Sequence, residues 1–474
     1  MAEYLTPGVF IEDNPNPPVI EAVSASTGGF IGVTQRGEVG KPIFINSWYA
    51  FITNFAQGMD SPFLANSDLA YAVYGFFQNG GKRCYVARVA GASAKVATLS
   101  KDSFTINAKD AGAWGNKLKL TITANADIDT NFDLKVTLGT EVVEMFRNLT
   151  NTANEENYWI DVLETQSKYI IGSQGTLSVL EATSLANGED GITDIADADY
   201  TGVLSKFDVI DDINLLCIPG QTSATVTKAL MEYCENRKDV FAILDAPEAS
   251  TVESVLAFRK SLSCKNAALY FPWIKVSDPL SKLGKLRSCP PCGHVMGVFA
   301  RTIAERGVWK VPAGTEATIR GAIEVTTTLT SADTDTLNPA GVISIIPKSN
   351  YGIVIWGARN LHPDSSMKYV SDVLLDIFIK KSVYNGTQSF VFEPNNALTW
   401  TNISATVQAF LDTLWREGAL KGETASEAYY VKCDGDLNTL DMQNQGKLLC
   451  EIGYANHKPA EFVIFRFSHE LASN

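Results

Sequence analysis

Apolar positions along this 474-residue chain change their period several times, and each change marks an element. Late in the chain, Val370, Val373, Leu374, Ile377 and Phe378 fall at i, i+3, i+4, i+7 and i+8, which predicts a helix over 369–383. Asn385-Gly386 breaks it. Residues 389–393 read as a short strand stopped by Pro394. A second helix opens at the Thr401/Asn402 cluster, with Ile403, Val407, Phe410, Leu411 and Leu414 as its apolar stripe, and Gly418 and Gly422 close it. Strands are predicted over 429–433, 448–452 and 461–467. The final ~120 residues therefore read as one α+β unit, an ordinary domain size.

Earlier stretches read differently. Residues 29–33, 43–45 and 84–89 are strand-like, with helical patterns over 47–55 and 68–79, an α/β alternation that stops near Gly91. Residues 118–123 and 133–138 then alternate with period two and are rich in Thr and Val, separated by Asn/Asp clusters. That pattern predicts an antiparallel module with one wet face. From Leu185 the α/β texture returns, with strands over 213–218, 240–244 and 267–273 and helices over 225–237 and 253–261. Strand–helix–strand at this spacing predicts parallel βαβ units. The predicted fold class is multidomain α/β and α+β. Its parts are an extended arm (1–24), an α/β segment (25–91), an inserted β module (92–184), an α/β domain (185–354) and a C-terminal domain (355–474).

The arm is unusual. Val9-Phe10-Ile11 is followed by Asn14-Pro-Asn-Pro-Pro18, a proline-dense stretch that cannot enter a helix or a central strand. A frayed terminus and an arm that pairs elsewhere fit this pattern equally. At the other end, 461–467 is apolar on both faces except at Glu461 and Arg466, so both faces need cover.

Charge narrows the partners. The chain carries 39 Lys and Arg against 53 Asp and Glu, a formal net charge of −14, which argues against non-specific nucleic-acid binding. No apolar run reaches the ~20 residues of a membrane span. The first residues carry neither a basic nor an apolar signal region, so no signal peptide is read there. Eight scattered cysteines, several in apolar runs, predict buried free thiols in a reducing compartment.

Candidate chemistry is thin. His294 is the only histidine between 185 and 350, sits after Pro290-Pro-Cys-Gly293 in a loop-like context, and has no Gly-x-Ser-x-Gly elbow to serve. Cys289-Pro-Pro-Cys292 has the spacing of a redox pair or half a zinc site, yet no second such pair occurs, and a Pro-Pro loop is not the strand-to-helix setting of a redox motif. Asp197-x-Asp199-x-Thr201 departs from a calcium loop at its fifth and twelfth positions and reads as a helix start. No phosphate loop is present. No catalytic, cofactor or metal residue is assigned.

Several blocks carry a family resemblance. Gly386-Thr-Gln-Ser-Phe-Val-Phe-Glu-Pro-Asn395, Phe410-Leu-Asp-Thr-Leu-Trp415, Gly418-Ala-Leu-Lys-Gly422, Tyr429-Tyr-Val-Lys-Cys-Asp434 and Lys458-Pro-Ala-Glu-Phe-Val-Ile-Phe465 occur in that order. Together they resemble the C-terminal domain of contractile tail sheath proteins of myophage tails, R-type bacteriocins and related injection systems. Thr6-Pro-Gly-Val-Phe10 is similar to the family's N-terminal arm. Ala111-Gly-Ala-Trp-Gly-Asn116 resembles the entry to its β-sandwich insertion, and the stretch from Leu185 to Gly341 resembles its middle domain, often described as subtilisin-like.

The resemblance implies a structural, non-enzymatic subunit of a helical sheath around an inner tube, contracting from a metastable extended state. It implies neighbouring copies, the tube protein, and baseplate and sheath-terminating proteins as partners, without direct nucleic-acid contact. Assembly in the bacterial cytoplasm, as part of a virion tail or a released particle, is implied as well. Val9, Phe10, Ile11, Phe462, Val463, Ile464 and Phe465 are then the expected subunit-linking residues. Asp412 and Glu417 on one helix, or Asp372 and Asp376 on the other, are the expected tube-facing ones. The alternatives are another self-assembling virion protein, such as a tube or capsid component, or a cytosolic α/β hydrolase.

Overall fold

The computed structural model describes residues 20–462 and 464, apart from 102, 129 and 363–365. Chain order begins with strands β1 (Gly28–Val33) and β2 (Pro42–Ile45), helices α1 (Trp48–Phe55) and α2 (Leu69–Gln78), and strand β3 (Cys84–Val89). The inserted module contains β4 (Val96–Lys101), β5 (Phe104–Ala111), β6 (Leu118–Ala124), β7 (Phe132–Leu138), β8 (Glu141–Leu149), α3 (Trp159–Gln166), β9 (Ile170–Gly175) and β10 (Leu180–Ser184). The α/β layer resumes with α4 (Asp197–Leu204), β11 (Leu215–Cys217), α5 (Ala224–Arg237), β12 (Phe241–Asp245), α6 (Val252–Lys260) and β13 (Ala267–Phe271). It continues through β14 (Ile274–Ser277), β15 (Leu286–Cys289), α7 (Cys292–Arg306), β16 (Ala322–Val325), α8 (Ser331–Leu337), β17 (Val342–Lys348) and β18 (Gly352–Trp356). The C-terminal part holds α9 (Val370–Gly386), α10 (Ala397–Arg416), α11 (Ala425–Ala428), β19 (Tyr429–Lys432), α12 (Leu440–Asn444) and β20 (Glu451–Tyr454).

An eight-stranded sheet, ordered β18-β17-β13-β12-β11-β1-β3-β2, is the centre of the larger of two compact units. Its six inner strands run parallel, and the two edge strands pair antiparallel. Inner strands are apolar on both faces, as a sheet covered on both sides requires: β1, β12 and β13 are buried at every position. Helices α2 and α7 approach closely through small residues. A Cβ on Gly75 would lie 2.3 Å from the His294 ring, and one on Gly293 would lie 2.3 Å from the Ala72 carbonyl oxygen.

The inserted module is a β-sandwich of a four-stranded sheet (β10-β6-β7-β8) and a three-stranded one (β4-β5-β9). Its period-two pattern puts Leu118, Leu120, Ile122, Leu134, Val136, Phe104 and Ile106 into one core with Trp114 and Trp159. Two arginines join it to the α/β sheet. The Arg36 guanidinium lies 4.3 Å from the centroids of both the Trp114 and Tyr169 rings and donates to the Lys168 carbonyl at 2.8 Å. Arg88, fully buried, donates to the carbonyls of Gly37 and Ala111.

The smaller unit comprises Leu375–Lys458 with the described start of the chain up to Val23; the larger takes Ser24–Leu374 and the described residues from Pro459. Three readings of the pattern change here. Residues 389–393 are not a strand: a 3-10 turn (Gln388–Phe390) runs into a backbone reversal at Phe392, whose φ is +72°. The helix begins a turn earlier than the Thr401/Asn402 cluster, because the Asn396 side chain caps the Thr399 amide. The strand expected over 448–452 is shifted to Glu451–Tyr454. Asn438 holds both the amide and the carbonyl of Leu449 and keeps that residue in a loop.

Candidate assembly surface

The first exposed ladder in the smaller unit is the hairpin-like pair β19–β20, joined antiparallel from Tyr429↔Tyr454 to Lys432↔Glu451. Among the described residues no third strand joins it. Two strands alone are marginal in water, and an open ladder is a template for a further strand. Its outward Tyr430 is half-exposed, and its phenol donates to Glu451 at 2.7 Å.

The smaller unit also exposes large apolar side chains, Tyr384, Phe392, Leu398 and Leu440, with Phe392 fully in solvent. The Phe392 loop is held firmly. Asn395 donates to the Lys447 carbonyl at 2.9 Å and accepts from the Trp400 indole at 2.7 Å, and the Thr399 hydroxyl donates to the Pro394 carbonyl at 2.7 Å.

The described base of the N-terminal arm rests on the end of α9. Ile20 is buried where a Cβ on Gly386 would lie 2.6 Å from its side chain, and the Val23 amide donates to the Ser382 hydroxyl at 3.3 Å. Val9, Phe10 and Ile11 lie outside the described residues, as do Val463 and Phe465. Phe462 and Ile464 are described and are 72% and 78% exposed.

Just before them, Glu461 is held fast within the larger unit. Its Oε1 accepts from Arg359 Nε at 3.0 Å and Asn338 Nδ2 at 3.3 Å; its Oε2 accepts from Arg359 Nη2 at 2.7 Å and the Tyr369 hydroxyl at 3.0 Å. Burial pushes this carboxyl up, but the bonds from Arg359, Asn338 and Tyr369 outweigh it and hold it below the usual carboxylate range. Nothing in the local pattern singled Glu461 out except that it is a lone acid heading an apolar run.

The charge candidates separate by burial. Asp412 is partly exposed and ion-paired with Arg416 at 2.8 Å, and Glu417 is exposed at the end of α10. Asp372 and Asp376 are buried, the latter accepting from Tyr454 at 2.6 Å and pairing with Lys380 at 2.6 Å. These two carboxylates face the protein interior rather than the polar side of their helix.

The cysteine pair sits differently from its sequence reading. Cys289 ends strand β15 and Cys292 opens helix α7, a strand-to-helix setting rather than a loop, and His294 is in that helix. Burial decides its chemistry. Both thiols are fully enclosed, and burial pushes both well above their ordinary value, which disfavours the thiolate. His294 is held down to about 4 by burial, its ring packed on Gly75. Asp245 accepts from the amides of Cys292 at 2.9 Å and Gly220 at 3.2 Å, and burial raises its carboxyl to about 7. Among the described residues no group of three or more His, Cys, Asp or Glu could hold a metal ion, and no helix is long and apolar enough to cross a membrane.

Fold and surface define a class: a mixed α/β multidomain protein with an inserted β-sandwich and an α+β terminal unit. Three domain descriptions match successive stretches of it. They are the phage tail sheath protein beta-sandwich domain over residues 90–197, the phage tail sheath protein central domain over 193–361, and the phage tail sheath C-terminal domain over 362–469. The chain belongs to the contractile tail sheath proteins.

A prophage major tail sheath protein of Pseudomonas aeruginosa (strain UCBPP-PA14) is 28% identical over 258 residues, 53% of this chain and 64% of that protein. The tail sheath protein of Salmonella phage ViI is 25% identical over 291 residues, 54% of this chain and 45% of that one. Each match thus spans less than two thirds of the relative's own length. In fold, the chain is similar to the sheath of an extracellular contractile injection system, the PVC sheath complex in its contracted state, with a TM-score of 0.65 at 21% identity over 99% of both chains. The sheath tail protein of Listeria innocua gives 0.65 at 14% identity, covering 92% of this chain and 96% of that one.

Proposed function

We propose that this chain is the repeating subunit of a contractile sheath, linked to its neighbours by exchanged strands and wrapped around an inner tube. The observation that carries the reading is the pairing of an open ladder, β19–β20, with an apolar tail whose Phe462 and Ile464 stand in solvent. A tail that adds to a neighbour's ladder gains backbone hydrogen bonds, and its alternating side chains set the register. Covering Phe462 and Ile464 adds roughly 1.5–3 kcal/mol each before ordering costs. Val9–Ile11 of the N-terminal arm take the same part at the other end. Repeated head to tail, such a contact does not close and generates a helix.

The division into arm (1–24), α/β layer (25–91 and 185–354), insertion (92–184) and polymerisation domain (355–474) belongs to this reading. So does the subtilisin-like label for the α/β layer, which its long, mostly parallel sheet supports. Neighbouring copies, the tube protein, the baseplate and the sheath-terminating proteins are the partners, and assembly takes place in the bacterial cytoplasm. Asp412 and Glu417, being exposed, are the better tube-facing pair; Asp372 and Asp376 would have to leave their burial. Work is stored in the packing of the extended state and needs no nucleotide. A bias of about 5.5 kcal/mol per subunit suffices to move a two-state element from 1:99 to 99:1.

Electron microscopy of the purified chain tests the proposal. The full chain forms cylinders of stacked rings, and a chain lacking residues 1–18 stays soluble and folded without forming them. Normal cylinders from the truncated chain would refute it.

A further inference from the structure

The described tail residues after Lys458 are held to the larger unit by one side chain. Ala460, Phe462 and Ile464 are exposed, whereas Glu461 between them is 11% exposed and has both carboxylate oxygens doubly bonded. Four donors fill the acceptor sites of a carboxylate, and the parallel pair from the Arg359 fork fixes its plane.

The donors come from three separate places in the fold. Asn338 caps α8, Arg359 follows strand β18, and Tyr369 immediately precedes α9. They are braced against one another. Arg359 and Tyr369 face each other across an antiparallel bridge, the Asn360 amide donates to the Lys368 carbonyl at 2.9 Å, and the Val370 amide donates to the Ala358 carbonyl at 2.9 Å. The Tyr369 ring is packed with Val311 and Ala358. The receiving corner is therefore rigid, and it is ready to hold a single carboxylate.

We propose that Glu461 is a positioning clasp. It fixes the point and direction from which the C-terminal linking segment leaves the subunit, and it transmits pull on that segment to the corner formed by Asn338, Arg359 and Tyr369. This rests on the reading of the tail as a linker between subunits. Without the clasp the tail has slack. With the clasp open, the three residues 459–461 beyond Lys458 could extend roughly 10 Å. That is about twice the ~4.8 Å between neighbouring strands. A tail with that slack could still bind a neighbour's ladder, but it could no longer make that neighbour move in step. Rigid coupling of subunits requires the anchor to lie immediately before the exchanged strand, where Glu461 sits.

The test reads the clasp first and assembly second. Chymotrypsin cuts after Phe462, and its site must bind an extended chain that includes residue 461, so cleavage of the full-length subunit reports opening of the clasp. Initial rates are measured by intact mass for the wild-type chain, Glu461→Gln and Arg359→Gln, each normalised to peptides spanning 456–468 with the same residue at 461. Both substitutions are expected to speed cleavage by about tenfold or more, the loss of charge-assisted bonds, with no change in the unfolding midpoint by circular dichroism. Equal normalised rates would overturn the clasp.

Assembly then separates the two claims. Glu461→Gln is expected to form short or disordered cylinders. Normal cylinders from it, when a chain ending at Lys458 forms none, would overturn the positioning role while leaving the linker reading intact. Normal cylinders from the chain ending at Lys458 would overturn the linker reading itself.

Discussion

The inserted sandwich and the C-terminal tail are both attached to the α/β layer, by opposite means. The sandwich is attached through Arg36, packed against both Trp114 and Tyr169, and through the buried Arg88, which donates to backbone carbonyls on either side of the joint. Removing either guanidinium leaves buried carbonyl groups without a donor. Among the described residues past Lys458, the tail is held through the Glu461 carboxylate, whose bonds require it to be ionised. One joint rests on buried guanidinium groups, and on the clasp proposal the other is releasable.

The largest expected effect comes from breaking the sandwich joint. Trp114→Ala removes a buried indole that fills the sandwich core and carries the Arg36 stack, and should cost about 3–5 kcal/mol in urea unfolding. A loss below about 1 kcal/mol would mean the joint is not closed as described.

Acid sharpens the contrast. The Glu461 carboxyl is held below its unfolded value, so its contribution is complete above the ordinary carboxylate range near 4 and is lost as pH falls through the folded value. Around it, the Arg359 and Tyr369 values are both pushed up, Asn338 does not titrate, Lys368 lies over the Tyr369 ring, and the Asp372 charge also raises Tyr369. A nitroxide at Ile464→Cys, in a chain with Cys433 and Cys450 changed to serine, should report slow motion at pH 7. It should report fast motion below the Glu461 titration, and fast motion at pH 7 in Glu461→Gln. A spectrum that does not change with pH would contradict the releasable joint.

The Phe392 loop offers a smaller, oppositely signed effect. Phe392 combines a positive φ with full exposure, so Phe392→Gly should stabilise the isolated subunit by about 1 kcal/mol. If that ring is covered only in the assembly, the same change should weaken cylinder formation. Stabilisation without any loss of assembly would remove Phe392 from the interface.

Charge reversal on α10 should be smallest in stability. Asp412→Lys and Glu417→Lys should change the unfolding free energy by no more than about 0.5 kcal/mol. They should still weaken assembly on the tube, more so at low salt. An equal effect at every salt concentration would count against an electrostatic grip.

Much of this was readable from the residues because local pattern and burial agree. The period-two runs at 118–123 and 133–138 became β6 and β7, and the stripe from Ile403 to Leu414 became the buried face of α10. What escaped depended on contacts distant in sequence. Asn438 holds Leu449 out of the strand expected at 448–452, and Asn396 advances a helix start that the Thr401/Asn402 cluster obscured. Cys289 and Cys292 looked like a loop because two prolines stood between them, yet those prolines make the turn from β15 into α7. Glu461 was visible as a lone acid in an apolar run, but its partner Arg359 lies 102 residues earlier, beyond any local pattern.

The central claim is that these subunits are joined by exchanged strands, and a helical reconstruction of the assembled chain tests it most directly. The account predicts that β19–β20 of each subunit lies in a larger sheet completed by residues around Val9–Ile11 and Phe462–Phe465 from other subunits, with Glu461, just before the donated strand, still bound to Arg359 of its own chain. A two-stranded β19–β20 in the assembly, with both ends folded back on their own subunit, would contradict it.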